Sequence, residues 1–180
     1  MENKDIATFA GGCFWCTEAI FKRLKGVEAV TPGYTGGTIE SPTYWDVASR
    51  QSGHAEAIQL TFNPRVISYE QLLDVFWHMH NPTTLNQQGV DRGTEYRSEI
   101  FYHSDEQQRL AEKSKQDIED SGMYKEGVVT KISPAVTFYP AEEDHKDFYE
   151  KNRYSPYCMI VIDPKIQKLY KDYKPLLKKS

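Results

Sequence analysis

The sequence predicts an α+β fold: a two-layer sandwich with a mainly antiparallel sheet and flanking helices. Two observations lead there. The apolar residues Ile6, Phe9 and Ala10 and the alternation over Ala55–Phe62 have the pattern of strands, whereas Leu72, Leu73, Phe76 and Met79 recur at helical spacing. The two kinds of segment mix along the chain without the strict strand–helix–strand alternation that a parallel sheet requires. No internal repeat, low-complexity stretch or linker divides the 180 residues, so one domain over residues 1–180 is expected, long enough to bury a sizeable core.

Taken in order, Ile6, Phe9 and Ala10 mark a first strand. Residues 17–25 follow as a helix carrying Ala19, Ile20, Phe21 and Leu24. No element is assigned between Lys25 and Ala55. The strand at Ala55–Phe62 is closed by Asn63-Pro64. Ser68 and Gln71 form a capping box that opens a helix stopping before Pro82. Residues 83–97 have neither periodicity and are rich in Gln, Asn and Gly; they read as a long ordered loop with a functional task. A strand at 98–102 precedes a second capping box, Ser104 with Gln107, which starts an exposed helix ending at Ser121-Gly122. Residues 128–132 and 135–139 read as strands, 142–152 as a short helix with acids in its first turn, 157–162 as a strand, and 166–173 as a last helix.

Composition excludes several functions. A net charge of −4 gives no basic face for nucleic acid. The lysines of the C-terminal tail, Lys165 to Lys179, suit a solvated helix face better than an anionic partner. No apolar run approaches the ~20 residues that cross a bilayer. The polar start, Met1-Glu2-Asn3-Lys4-Asp5, leads straight into the first strand without a secretory leader. An odd count of three cysteines argues against a disulfide scaffold and for a reducing compartment, hence a cytoplasmic location. A monomer is expected.

Two of the three cysteines stand in Gly11-Gly12-Cys13-Phe14-Trp15-Cys16. Between a strand and a helix, Cys13 meets unpaired backbone N–H groups and the positive end of the helix dipole, a setting expected to lower its pKa and yield the thiolate. A lone buried cysteine is usually a small hydrophobe. Two cysteines flanking paired aromatics at a helix start favour the reactive reading.

The run Gly12-Cys13-Phe14-Trp15 resembles the active-site signature of the A-type peptide methionine sulfoxide reductases. Gly33-Tyr34-Thr35-Gly36-Gly37, Pro42-Thr43-Tyr44, Gly53-His54-Ala55-Glu56, the run from Asp91 to Ser98, and Tyr157-Cys158 match that family in the same order. The resemblance covers residues 9–163 and implies a fold related to the ferredoxin-like one, with no cofactor and no metal. It implies that Cys13 attacks the sulfoxide sulfur and becomes a sulfenic acid, with selectivity for the S epimer of methionine sulfoxide, free or peptide-bound. Phe14 and Trp15 would seat the substrate methyl. Tyr44 and Tyr96 would hydrogen-bond the sulfoxide oxygen, and Asp91 and Tyr157 would lie beside the substrate. Thioredoxin is the implied reductant.

Glu56 is the candidate general acid, because apolar Ala55 and Ala57 on either side should desolvate its carboxyl and raise its pKa. His54, two residues away on the same strand face, would tune Glu56 or serve structure. His78 and His80 point apart on a helix and read as structural or surface residues. Cys16 and Cys158 both remain candidates to resolve the sulfenic acid; a relay, Cys16 first and Cys158 second, is expected from reach along one helical turn. Cys16 departs from the glycine common in the family. The competing readings are a thiol-disulfide oxidoreductase built on Cys-x-x-Cys, and a zinc module using Cys13, Cys16, Cys158 and His54.

Overall fold

The protein, a computed structural model, is described over residues 3–179. Met1 and Glu2, where the leaderless start was read, lie outside the described residues. Strands β1 (Asp5–Gly11), β2 (Val27–Thr35), β3 (Ala55–Phe62), β6 (Ser98–Tyr102), β7 (Lys131–Pro134) and β8 (Phe138–Pro140) form one sheet in the order β7-β6-β1-β3-β2-β8. Every neighbouring pair is antiparallel except β6 with β7. The expected α+β class and mainly antiparallel sheet are what the chain adopts.

The helices are α1 (Phe14–Phe21), α2 (Tyr44–Ala48), α3 (Tyr69–Met79), α4 (Asp105–Asp120), α5 (Phe148–Lys151) and α6 (Asp163–Asp172). The Ser68–Gln71 box forms as read, and Ser104 caps α4 through the Gln107 N–H. Gln107 departs from a box: its side chain accepts from the His103 N–H and donates to the Ile6 carbonyl, tying α4 to β1.

One face of the sheet carries the main core. Phe9 on β1 is fully buried and packs its ring against Phe21 of α1 and against Tyr69 and Phe76 of α3, with centroid separations of 5.4, 6.0 and 5.2 Å. Burying a side chain of this size stabilises the fold by about 1.5–3 kcal/mol, so the sheet and its helices form together. On the opposite face Ala10, Ala55, Ala57 and Phe101 make a smaller apolar patch against Ala135 and Phe138. The C-terminal end is clipped to the end of α1: the Lys25 N–H donates to the Leu176 carbonyl (2.8 Å) and the Lys178 N–H to the Arg23 carbonyl (2.9 Å).

Several elements differ from the sequence reading, each for a local reason. The first helix begins earlier, at Phe14, and ends at Phe21. Strand β2 received no assignment because Pro32 and Gly33 look like breakers. The proline is tolerated because β8 reaches only Gly33 to Thr35, leaving β2 nearly an edge at Pro32. A side chain at Gly33 would collide with the Tyr139 carbonyl of β8. Residues 157–162 are helical, not a strand: Cys158–Ile162 is a π-helical turn running into α6. Ile160, Val161 and Ile162 suggested a strand by their branching, but the buried residues Cys158, Ile162, Ile166 and Leu169 follow a helical face. The read strands at 128–132 and 135–139 lie a few residues later, as β7 and β8. The helix read over 142–152 divides at Asp147, whose φ of 54° breaks it into a 3₁₀ turn, Glu143–His145, and α5. Within 83–97, which is otherwise loop as read, β4 (Gln87–Gln88) pairs with β5 (Asp91–Arg92) around Gly89, and a 3₁₀ turn spans Thr94–Tyr96.

Candidate active site

Cys13 holds the N-cap position of α1, where β1 turns into the helix. The turn is made by Gly12 at φ 94°, where a side chain would run into Gln88. Glu56, buried on β3, reaches across and accepts the Phe14 N–H at 3.1 Å. Burial pushes the Glu56 carboxyl up to about 8 against the lowering effect of that hydrogen bond, and the negative charges of Asp91 and Glu95 push the same way as burial. The expected rise is what the folded site delivers, but not through Ala55 and Ala57: both lie on the opposite face of the sheet, and Glu56 is desolvated by its own burial beneath α1.

The expected lowering of the Cys13 pKa is corrected by the structure. The first free N–H of α1 goes to Glu56, and Cys13 makes no side-chain capping bond. Burial then dominates and raises Cys13 well above the usual thiol range, with Cys16 and Glu56 adding to the rise. Cys16 is the member of the pair held low, at about 7, chiefly by its hydrogen bond with Cys13. The two thiols act as one unit in which a proton retained on one sulfur stabilises the charge on the other.

Tyr157 links this pair to the loop after α3. Its hydroxyl donates to Asp91 Oδ2 at 2.7 Å and lies 3.8 Å from Cys16 Sγ. The β4–β5 turn places Asp91 for this contact. Tyr44, at the start of α2, and Tyr96, in the 3₁₀ turn before β6, are both half-buried near Glu56 and Cys13. Burial and those two groups raise both phenols, and neither hydroxyl has a hydrogen-bond partner among the described residues.

Cys158 is fully buried in the π-helical turn, its N–H donating to Ser155 Oγ at 3.3 Å. All three cysteines are free thiols. His54 spends both ring nitrogens on loop backbone, accepting from the Gly37 N–H at 3.0 Å and contacting the Ile39 carbonyl at 2.7 Å, so it neither tunes Glu56 directly nor joins the cysteines. Among the described residues, no group of three or more His, Cys, Asp or Glu side chains is arranged to hold a metal ion. His80 is buried and bonded to the Phe76 carbonyl and Ser98, a structural role as read.

Three site residues escaped the sequence reading, all on the segment 142–148. Glu142 accepts the Tyr34 hydroxyl on one oxygen and the Tyr44 N–H on the other, both at 3.1 Å. His145 accepts the Trp15 indole N–H at Nδ1, 3.1 Å. Phe148 stacks on the Trp15 ring with centroids 3.6 Å apart and planes 6° from parallel. Asp147 is held by its N–H to Glu18 Oε1 (3.0 Å) and by its carboxylate to Lys22 Nζ (2.6 Å). The segment is thus strapped across the open side of α1. A run of acids around one histidine gave only a helix-start signal; no local pattern marks a residue whose partner is 130 positions away.

Two free thiols at the centre, beside a carboxyl kept neutral by burial, define a thiol-based oxidoreductase on an α+β scaffold. The family model for peptide methionine sulfoxide reductase matches residues 5–176. The chain is 51% identical to peptide methionine sulfoxide reductase MsrA of Saccharolobus solfataricus over 167 residues, 93% of each chain. It is 47% identical to the MsrA of Thermus thermophilus, covering 97% of this chain and 98% of that one. Crystal structures of Mxr1 from Saccharomyces cerevisiae are also similar. The reduced form has a TM-score of 0.78 at 33% identity over 86% of this chain and 89% of that one. The complex with Trx2 has a TM-score of 0.56 at 27% identity, covering 81% and 84%. The chain belongs to the peptide methionine sulfoxide reductase family, in its A-type branch. It reduces methionine sulfoxide by thiol chemistry, which replaces the alternative of a general thiol-disulfide oxidoreductase.

Proposed function

We propose that this chain is a methionine-S-sulfoxide reductase in which Cys13 is the nucleophile and Glu56 the proton donor. The observation that carries the assignment is the buried Glu56 carboxyl, held protonated to about 8 and bonded to the N–H of the residue that follows Cys13. The Cys13 thiol passes its proton to the Cys16 sulfur to which it is hydrogen-bonded and attacks the sulfoxide sulfur, the Glu56 proton passes to the sulfoxide oxygen, and the S–O bond breaks as oxygen moves to Cys13. Methionine leaves and Cys13 holds the oxygen and the proton as a sulfenic acid. The unpartnered hydroxyls of Tyr44 and Tyr96 stabilise the negative charge growing on that oxygen. Phe14 and Trp15 seat the methyl group, and Asp91 orients Tyr157 at the thiol pair.

Cys16 then attacks the sulfenic sulfur, expelling the oxygen as water and closing a Cys13–Cys16 disulfide. Its thiol, held near 7, is the one more readily deprotonated at neutral pH. Cys158 takes over Cys16 by thiol-disulfide exchange, freeing Cys13, and thioredoxin reduces the resulting disulfide. The likeness to Mxr1, crystallised with Trx2, supports thioredoxin as reductant. The same reading has a monomer of one catalytic domain that repairs oxidised proteins in the cytoplasm under oxidative stress. Among the described residues no helix is long and apolar enough to cross a membrane. The order β6-β1-β3-β2 at the sheet centre, with α1 and α3 as the two crossovers, supports a ferredoxin-like relation. Assay of the two sulfoxide epimers separately tests the function: turnover of the S epimer alone is expected, and equal turnover of both, or of neither, overturns it.

A further inference from the structure

Trp15 is held on several sides, and the hold on its only polar atom comes from His145. The indole N–H meets Nδ1 at 3.1 Å, and the imidazole lies at a small angle to the indole plane, 23°, with centroids 5.9 Å apart. The same imidazole packs against Phe14 (5.3 Å) and Tyr44 (4.9 Å), so one buried ring touches three of the residues assigned to the substrate. To accept at Nδ1 it must be neutral, with its proton on Nε2. The 3₁₀ turn that carries it is anchored by Glu142, which holds Tyr34 and Tyr44.

A tryptophan half-open to solvent can rotate about its side-chain torsions. A hydrogen bond at the indole N–H selects the orientation that presents one ring edge to the substrate. We propose that His145 is a positioning residue for sulfoxide reduction, setting the orientation of the Trp15 ring through Nδ1. The proposal rests on the reading of Phe14 and Trp15 as the methyl seat. His145 does not touch the reacting atoms. Its effect passes through Trp15, and because the methyl packs alike before and during the reaction, its loss is expressed mainly in KM.

The test is a double-mutant cycle with single-turnover kinetics, using His145→Leu, His145→Asn and Trp15→Phe. His145→Leu removes the acceptor and should lower kcat/KM by about three- to tenfold, the range of one net hydrogen bond, chiefly through KM. His145→Asn places an amide oxygen close to the Nδ1 position and should recover most of that loss. In proton–nitrogen NMR spectra the Trp15 indole resonance should shift in the Leu variant and stay near its original position in the Asn variant. Trp15→Phe keeps a ring but has no N–H, so adding His145→Leu to it should cost less than about twofold. Equal cost of His145→Leu in both backgrounds, or an Asn variant no better than Leu, overturns the positioning role. Failure of the seat reading is separate: there Trp15→Ala itself leaves kcat/KM unchanged.

Discussion

Glu56, the proposed proton source, is also a liability, because a carboxyl kept neutral by burial opposes folding once the pH rises. Below about 4.5 the group is protonated folded and unfolded, and stability does not depend on it. Between 4.5 and about 8 the unfolded chain has lost the proton while the folded chain keeps it. Stability therefore falls with rising pH across that window and levels off above it, by a few kcal/mol at about 1.4 kcal/mol per unit. Glu56→Gln keeps an oxygen to accept the Phe14 N–H and cannot ionise. Its Tm should match the parent at pH 4 and exceed it at pH 9, while its single-turnover rate drops by about 100- to 10,000-fold. A rate loss below roughly tenfold would assign the acid to another group. The raised pKa of Glu56 was legible because a carboxyl in an apolar strand of this kind is buried with it. The Cys13 pKa was misjudged because the helix N–H that should have served the thiol serves this carboxylate, a contact across 42 positions.

At the scale of elements, the proposed recycling depends on the π-helical turn at Cys158–Ile162. Cys158 is fully buried there, next in sequence to the tyrosine that contacts Cys16, so exchange with Cys16 requires this turn to open. Single π turns are rare and occur frequently at functional sites. Cys158→Ser should still form one intramolecular disulfide, Cys13–Cys16, after one equivalent of sulfoxide, yet turn over poorly with thioredoxin. Peptide mass spectrometry of the trapped protein checks this; finding only Cys13–Cys158 in the parent, with Cys16→Ser fully active, rules out the relay. This turn was hidden by its β-branched residues, and β2 by Pro32 and Gly33. By contrast α3 was legible throughout, since its capping box and apolar spacing agree with each other and with the packing around Phe76.

For the whole molecule, class and sheet type followed from periodicity alone, whereas strand order did not. Placing β1 between β3 and β6 depends on pairings such as Phe9 with Ile58 and Phe9 with Ile100, which leave no trace in local sequence. The site inherits this non-locality. In the proposed site, residues near the start supply the sulfur, the middle supplies the acid and tyrosines, and the last quarter supplies the walls.

The strap at residues 142–148 makes the enzyme a reporter of its own completion. Trp15 waits for His145 across 130 positions, and Cys16 for Tyr157 across 141. Contacts so distant in sequence close late, after the loops between them have been ordered. A chain emerging from the ribosome holds Cys13, Glu56, Tyr44 and Tyr96 in the open before the strap has been synthesised, and for that interval its first two thiols are exposed but the proposed methyl seat has one wall. Sulfoxide reduction during refolding should therefore recover with the slowest structural phase, later than the far-ultraviolet dichroism of the helices, and stopped-flow refolding read by both signals would show the lag. Activity returning together with the first helical signal would mean that the seat assembles without its distant wall.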